Sequence, residues 1–291
     1  ITSRLVGSEM CIRDRLFGVA ISATLSTNYE KKGSHRFHIA VQTRDFSQSI
    51  SCILNKGQRT REEEEELVTE FVIALISDCC GFEFKYPKIK EDVEHIQIPA
   101  QKGWADLMSE KIKFVTSSNQ QPKLIFPGAF NPMHDGHIAM SELANKEMSE
   151  EVFFEICIQN VDKPPLSYHQ IKKTIDQFTD SKNWVLTKAG KFSDKAKLFP
   201  NSTFIIGADT LVRIFDERFY ASRREMMEEF EIFNANNNNF LVFGREYKNK
   251  FIELDDIQVP DSIKSRFRGF GENIFRKDVS SSTIRAQNSE E

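Results

Sequence analysis

Short apolar segments alternate with helical segments across residues 123–243, and this alternation limits the fold more than any other feature of the sequence. Each apolar run suits a strand buried on both faces, and the apolar residues between runs recur at helical spacing. Strands and helices that alternate in this way form a parallel sheet with helices on both faces, and ligands bind at the carboxyl ends of its strands. The predicted strands are 123–126, 152–158, 183–187, 203–206 and 240–243, and the predicted helices are 137–149, 167–179, 208–215 and 222–230.

The segment that joins the first strand to its helix carries the strongest chemical signal. Residues 127–137 read Pro-Gly-Ala-Phe-Asn-Pro-Met-His-Asp-Gly-His. Gly128 allows a tight bend, and Gly136 would let a phosphate approach the backbone where a side chain would block it. His134 and His137 lie one turn apart at the helix start, where imidazole N–H groups and the helix dipole can bind phosphate oxygens as charge develops on them. The motif therefore predicts a phosphate site.

A second polar motif, Val-Ser-Ser-Ser-Thr-Ile-Arg, occupies residues 279–285. Ser280, Ser281 and the amides around them would receive the outer phosphates of a triphosphate, and Arg285 would supply a charged fork of donors. Alone, such a serine run is typical of a helix start with a serine as N-cap. Its occurrence together with the histidine motif favours the phosphate-binding role.

These motifs resemble the two hallmarks of the nucleotidylyltransferase superfamily, Gly-x-Phe-x-Pro-x-His-x-Gly-His and Ile-Ser-Ser-Thr-x-Ile-Arg. Residues 128–137 match the first hallmark, and residues 279–285 match the second if Ser282 takes the threonine place. Residues 204–210 resemble the Gly-x-Asp strand end of the nicotinamide-mononucleotide adenylyltransferases in that superfamily. The resemblance covers residues 121–291 and implies a Rossmann-like, doubly wound α/β fold. It also implies an enzyme that moves AMP or CMP from ATP or CTP to a small phosphorylated acceptor and releases pyrophosphate.

For three further residues, a role in ligand binding and a purely structural role are both open. Lys163 comes just before two prolines, whereas family members often carry a lysine just after such a pair. It is therefore either a second cation that contacts phosphate or an ordinary loop cation. Asp209 would accept from a ribose hydroxyl or cap the following helix, and Arg245 would border the base pocket or face solvent. The predicted catalytic residues are His134, His137, Lys163 and Arg285, and the predicted nucleotide-binding residues are Gly128, Ala129, Phe130, Asn131, Gly136, Gly207, Asp209, Arg245, Ser280, Ser281 and Ser282.

The acceptor is less well defined than the reaction. Nicotinamide- and nicotinate-mononucleotide adenylyltransferases usually stack the pyridine ring on a tryptophan after Gly-x-Asp, and here Phe215, Phe219 or Tyr220 would have to replace it. Another superfamily transferase, acting on phosphopantetheine or a phosphoalcohol, is an alternative. So is a nucleotide-binding scaffold without turnover.

Magnesium is expected to arrive with the triphosphate rather than in an all-protein cage. The two histidines of the first motif could instead bind zinc, but no further ligand follows at a convincing spacing, so no protein metal site is predicted.

Composition narrows the partners and the compartment. The net charge of −4 gives no basic footprint for nucleic acid, and the longest apolar run is too short to cross a bilayer. Of the five cysteines, two are adjacent and two lie in apolar runs, which suggests reduced thiols and a cytoplasmic protein. The sequence does not indicate an oligomeric state.

The upstream half is expected to contain three parts. Residues 1–15 resemble a translated transposase-type sequencing adaptor and are expected to be non-native. Residues 16–85 are predicted to be a smaller, truncated α/β segment, residues 86–122 a linker, and residues 123–291 the transferase domain.

Within the second part, strands are predicted at 17–25 and 35–43, and a helix at 60–80 that ends at Gly81. This order resembles the later half of the competence-damage-protein C-terminal domain, a family that includes nicotinamide-nucleotide amidases. The resemblance covers residues 16–82. Because that family's active-site serine region lies earlier, no amidase activity is expected.

Overall fold

A computed structural model of the chain describes residues 6–12, 15–29, 31–159, 164–178, 182–277, 279 and 281–288. The chain forms two compact units, which are described separately. The first contains Ile1–Ala105 and Ser167–Lys172, and the second contains Asp106–Leu166 and Lys173–Glu291.

The strands are β1 Val6–Ile12, β2 Arg15–Thr24, β3 His35–Gln42, β4 Phe46–Leu54, β5 Val93–Pro99, β6 Phe114–Thr116, β7 Leu124–Pro127, β8 Val152–Cys157, β9 Asn183–Thr187, β10 Thr203–Gly207, β11 Asn239–Phe243, β12 Arg245–Tyr247, β13 Lys250–Ile252 and β14 Phe267–Phe270. The α-helices are α1 Arg61–Cys80, α2 Trp104–Met108, α3 Asp135–Met148, α4 Tyr168–Ile175, α5 Phe192–Leu198, α6 Ala208–Ile214, α7 Arg223–Ala235 and α8 Ser281–Asn288. Single 3₁₀ turns span Glu217–Phe219, Leu254–Asp256 and Lys264–Arg266.

The first unit is an antiparallel sheet in which β1 to β5 pair in chain order. Helix α1 packs against this sheet, with the rings of Phe37 and Phe71 centred 5.1 Å apart in a core that is fully buried at both residues. The helix begins at a capping box, because Thr60 accepts from the Glu63 N–H while the Glu63 carboxylate accepts from the Thr60 N–H. It ends at Gly81, whose φ of 76° suits glycine, as predicted.

One expectation for the upstream half needs correction, and one segment that was set aside forms a strand. The stretch 86–122 is not an unstructured linker, because it contains β5, α2 and β6. Strand β5 is paired with β4 over its whole length, and its charged and isolated apolar residues reflect an edge strand with one face towards solvent. Residues 6–12, within the segment expected to be non-native, form strand β1 and pair with β2. Their origin stays a prediction, as does the resemblance of residues 16–82 to the competence-damage domain.

The second unit is the predicted α/β sheet. Its seven strands lie in the order β14-β11-β10-β7-β8-β9-β6, and every adjacent pair is parallel except β6 with β9. Every residue of β10 is buried, which requires helices or loops on both faces and explains the uninterrupted apolar runs in the sequence. The doubly wound fold class is confirmed.

The element boundaries shift by a few residues from prediction, with two larger differences. Helix α4 ends at Ile175 rather than at 179, and α7 continues to Ala235 rather than stopping at 230. Strand β14 was not predicted, since its four residues include an exposed arginine and a glycine and so carry no apolar periodicity. In the described parts of the chain, no helix is both long and apolar enough to cross a membrane.

Candidate active site

The candidate site lies where the strand order of the sheet reverses. Strand β7 lies between β8 and β10, so the chain leaves β7 in one direction and later returns to its other side. The loop after β7 carries the histidine motif, and the end of β10 carries Gly207 and Asp209. A reversal of this kind opens a crevice at the carboxyl ends of the strands, where α/β sheets bind ligands.

His134 and His137 form a stacked pair at the start of α3. Their ring centroids are 3.8 Å apart with an interplanar angle of 24°. The His134 backbone N–H donates to Nδ1 of His137 at 3.3 Å, which places the proton of a neutral His137 on Nε2. Nδ1 of His134 is buried without a hydrogen-bond partner. Because Nδ1 of His137 is already bonded and Nδ1 of His134 is buried, Nε2 is the nitrogen of each ring that is left for a ligand at the helix N-terminus.

Both histidines are held in the neutral form. Burial, the neighbouring His134 and the charge of Arg245 lower the pKa of His137 to about 3. Burial and Arg245 also lower the pKa of His134, against an opposing effect of Asp135. At neutral pH each ring thus carries one N–H that can donate to a phosphate oxygen.

The two motif glycines make room for side chains of the motif itself. A Cβ at Gly128 would lie 2.6 Å from the Phe130 ring, so this glycine leaves room for the ring. Its role in a tight bend stays a prediction. A Cβ at Gly136 would lie 3.0 Å from the His134 imidazole. The glycine there gives space to a site histidine, which is a second reason for its presence besides the predicted approach of a phosphate.

The second motif contacts the first directly. The Ser281 hydroxyl donates to the Pro132 carbonyl at 2.8 Å across a sequence separation of 149 residues. Arg285 donates from Nη1 to the Asn131 carbonyl. Helix α8 thus fixes the loop after β7 as well as contributing donors near it, a supporting role that the sequence had not suggested.

Arg245 and Asp209 extend the site across the end of β10. Arg245 Nη1 lies 3.6 Å from Asp209 Oδ1, both side chains are about one-third exposed, and Oδ1 has no hydrogen-bond partner. Arg245 also donates to the Val279 carbonyl at 3.5 Å, just before α8. Position 207 must be a glycine, because a Cβ there would lie 2.4 Å from the Asp209 carboxylate. Of the two alternatives for Arg245, the structure favours the one in which it borders the site.

The structure gives less information about five of the predicted site residues. Lys163 and Ser280 lie outside the described residues, as does the side chain of Ser282. Ala129 and Asn131 are exposed on the loop. Within the described residues, no group of three or more His, Cys, Asp or Glu side chains could hold a metal ion.

Two residues near the motif were not predicted. The Gln177 side chain bonds to the loop at both Phe130 and Met133. Cβ of Lys277 lies 3.8 Å from the position of a Cβ at Gly136, so its chain starts next to the histidine pair. The nearness of Lys277 to the second motif in sequence was a usable signal, whereas Gln177 had none.

The three candidate stacking residues differ in their surroundings. Phe215 packs against Phe230 and Phe267, with ring centroids 5.0 and 5.9 Å away, and belongs to the core. Tyr220 packs against Phe230 and donates its hydroxyl to the Ile214 carbonyl. Phe219 is 49% exposed, with the Arg213 guanidinium 5.8 Å from its ring centroid. It is the most exposed of the three candidates.

The doubly wound sheet and the histidine pair at its strand reversal define a nucleotidyltransferase. The chain belongs to the cytidylyltransferase-like family, which matches residues 125–287, more than half of the sequence. A search of curated proteins found no match.

Two solved structures of Plasmodium falciparum nicotinic acid mononucleotide adenylyltransferase, one complexed with NaAD and one with APC, are similar to parts of the chain. The sequence identities are 17% and 16%, and the TM-scores are 0.33 and 0.32. Each match covers 57% of this chain and 83% of the other.

Proposed function

We propose that this nucleotidyltransferase moves AMP or CMP from ATP or CTP to a small phosphorylated acceptor, with a nicotinate or nicotinamide mononucleotide as the preferred acceptor. The observation that carries the proposal is the neutral, stacked pair of His134 and His137 beside Arg245 at the N-terminus of α3. The pyridine acceptor rests on the Gly-x-Asp motif at Gly207 and Asp209 and on the exposed ring of Phe219.

In this reaction an oxygen of the acceptor phosphate attacks the α-phosphorus of the triphosphate. The bond from that phosphorus to the bridging oxygen breaks, and pyrophosphate leaves with the negative charge. No covalent enzyme intermediate is needed, so the protein accelerates the step by orienting the two substrates and stabilising the charge that develops.

The site residues fit that task. The N–H groups of His134 and His137 would donate to phosphate oxygens, and their neutrality allows two rings to stack without mutual repulsion. Arg245 and Lys277 would supply positive charge towards the pyrophosphate, together with the positive end of the α3 dipole. Lys163, Ser280 and Ser282 stay proposed phosphate contacts on sequence grounds, as does Arg285.

Magnesium would enter with the triphosphate and neutralise part of its charge. Asp209 stays a proposed acceptor for a ribose hydroxyl on sequence grounds. The net charge of −4 and the cysteines Cys52, Cys80 and Cys157, which form no disulfide bond, support a protein that acts on small molecules, without nucleic acid or membrane, in the cytoplasm.

The test is pyrophosphate release by the full chain with Mg²⁺. ATP and CTP are each combined with nicotinate mononucleotide, nicotinamide mononucleotide or phosphopantetheine. Release that requires a pyridine mononucleotide supports the proposal in full, whereas release only with phosphopantetheine replaces the acceptor. Nucleotide binding without release for any acceptor contradicts the proposed reaction.

Replacing His137→Asn should lower kcat by about two to three orders of magnitude, as removal of a donor to a developing charge does. His169→Asn, the same change at an exposed histidine of α4, is the matched control and should keep wild-type turnover. Equal turnover in the two variants would reject the role assigned to His137.

A further inference from the structure

We propose that Gln177 is a positioning residue for the histidine pair: it holds the loop between β7 and α3 so that His137 keeps its proton on Nε2. The inference rests on the proposed function only in assigning that N–H to a phosphate oxygen. Gln177 lies in the turn that follows α4, outside both sequence motifs.

The Gln177 side-chain amide joins the two ends of the loop. Its Nε2 donates to the Phe130 carbonyl at 2.8 Å, and its Oε1 accepts the Met133 N–H at 2.8 Å. The orientation of the amide follows from these partners, since the flipped form would set oxygen against oxygen and N–H against N–H. One side chain therefore fixes both the entry and the exit of the Asn131 and Pro132 segment.

The loop needs such support because its backbone is strained. Phe130 has a φ of 43°, in the left-handed region that bulky residues rarely adopt. Its ring is held from several sides, with Phe126, Phe154 and Phe178 centred 5.5, 5.3 and 5.8 Å away. Packing thus holds the ring of Phe130, while Gln177 holds its carbonyl.

The bond to Met133 connects this support to the chemistry. The next N–H along the chain, that of His134, donates to Nδ1 of His137 and so leaves the ring proton on Nε2. Without Gln177 the Met133 amide loses its acceptor, and the adjoining peptide is free to turn. Nδ1 of His137 then loses its donor, and the tautomer with the proton on Nδ1 becomes populated. That tautomer cannot donate from Nε2.

Ring-nitrogen NMR tests the inference without requiring turnover. The full chain is labelled with ¹⁵N in its six histidines, and His137 is assigned from the spectrum of the His137→Asn variant. The wild type should show a protonated Nε2 and a bare Nδ1 at neutral pH. Gln177→Met should give a mixture of tautomers, whereas Gln121→Met, the same change at an exposed glutamine, should not. Identical His137 shifts in wild type and Gln177→Met would overturn the inference.

The kcat of Gln177 variants and its pH dependence provide a second test, with a result that loss of stability alone does not produce. Gln177→Met should lower kcat by roughly 10- to 100-fold, as expected for a small displacement of a reacting group. A Glu side chain can accept from Met133 as a carboxylate but can donate to Phe130 only when protonated. The kcat of Gln177→Glu relative to wild type should therefore rise as the pH falls from about 8 to about 5, while the same ratio for Gln177→Met stays flat.

A Gln177→Met variant with kcat within about twofold of wild type, or parallel pH profiles for both variants, would also overturn the inference. If the wild type releases no pyrophosphate with any acceptor, the proposed function fails, and the NMR comparison still decides the role of Gln177.

Discussion

A buried ion pair next to the loop after β7 allows the stability of the sheet to be predicted quantitatively. Lys195 on α5 donates to both carboxylate oxygens of Glu155 on β8, at 2.8 and 2.7 Å, and their side chains are 5% and 1% exposed. The Thr187 hydroxyl also donates to Glu155, and Lys195 donates to the Ala189 carbonyl. The Glu155 backbone carbonyl accepts the Gly128 N–H, so this residue also fixes the start of the site loop.

Replacing Lys195→Met keeps the length of the side chain but leaves the Glu155 carboxylate buried and uncompensated. Loss of one partner of such a pair typically costs about 3–5 kcal/mol of unfolding free energy. The double variant Lys195→Met with Glu155→Gln removes both charges and keeps the acceptor for Thr187. It should regain most of that loss and come within roughly 1–2 kcal/mol of wild type, because the desolvation of two charges disappears as well.

Native-state hydrogen exchange of the β8 and β9 amides measures the unfolding free energy of this sheet separately from the first unit. The two single variants and the double variant complete a double-mutant cycle. The reasoning is refuted if Lys195→Met costs less than about 1 kcal/mol, or if the double variant loses the sum of the two single costs.

Two more predictions concern the site loop. Gly128→Ala would place a methyl group 2.6 Å from the Phe130 ring, so it should cost about 1–3 kcal/mol of stability and reduce turnover; an unchanged urea midpoint and kcat would contradict the assigned packing. His137, with a pKa of about 3 when folded and an ordinary value of 6.5, binds a proton only in the unfolded chain between these pH values. It therefore lowers stability as the pH falls through that window, by up to about 1.4 kcal/mol per pH unit, and His137→Asn should lose less stability than wild type between pH 7 and pH 4. Parallel urea midpoints for the two proteins over this range would contradict the depressed pKa.

Local sequence patterns predicted the strongly periodic parts of the fold well. The buried strands β7 to β11 are continuous apolar runs because both of their faces are covered, and such runs are readable in the sequence. Helix α1 was equally readable, since Thr60 and Gly81 mark its ends by local hydrogen bonding and backbone conformation. Strands β5 and β14 were not, because β5 is only half buried and β14 contains an exposed arginine and a glycine.

The features of the candidate site are also of two kinds, those that can be recognised in the sequence and those that are visible only in the fold. The histidine and serine motifs are contiguous in sequence, so their residue types and spacing were enough to suggest phosphate chemistry. The contact of Ser281 with Pro132 depends on a separation of 149 residues and could be seen only in the fold. The same holds for Gln177, whose role depends on the turn after α4 meeting the loop after β7.

The sequence by itself determined the alternation of buried strands β7 to β11 with helices, the family and the donor groups available for a triphosphate, because these properties reside in short segments with their own periodicity or spacing. Only the tertiary structure decided which conformation those groups hold. The neutral state of His137, its tautomer and the approach of Arg245 to Asp209 all depend on burial and on atoms from distant segments. Desolvation and electrostatic interactions act through space, and no local pattern of residues contains the distances that set their strength.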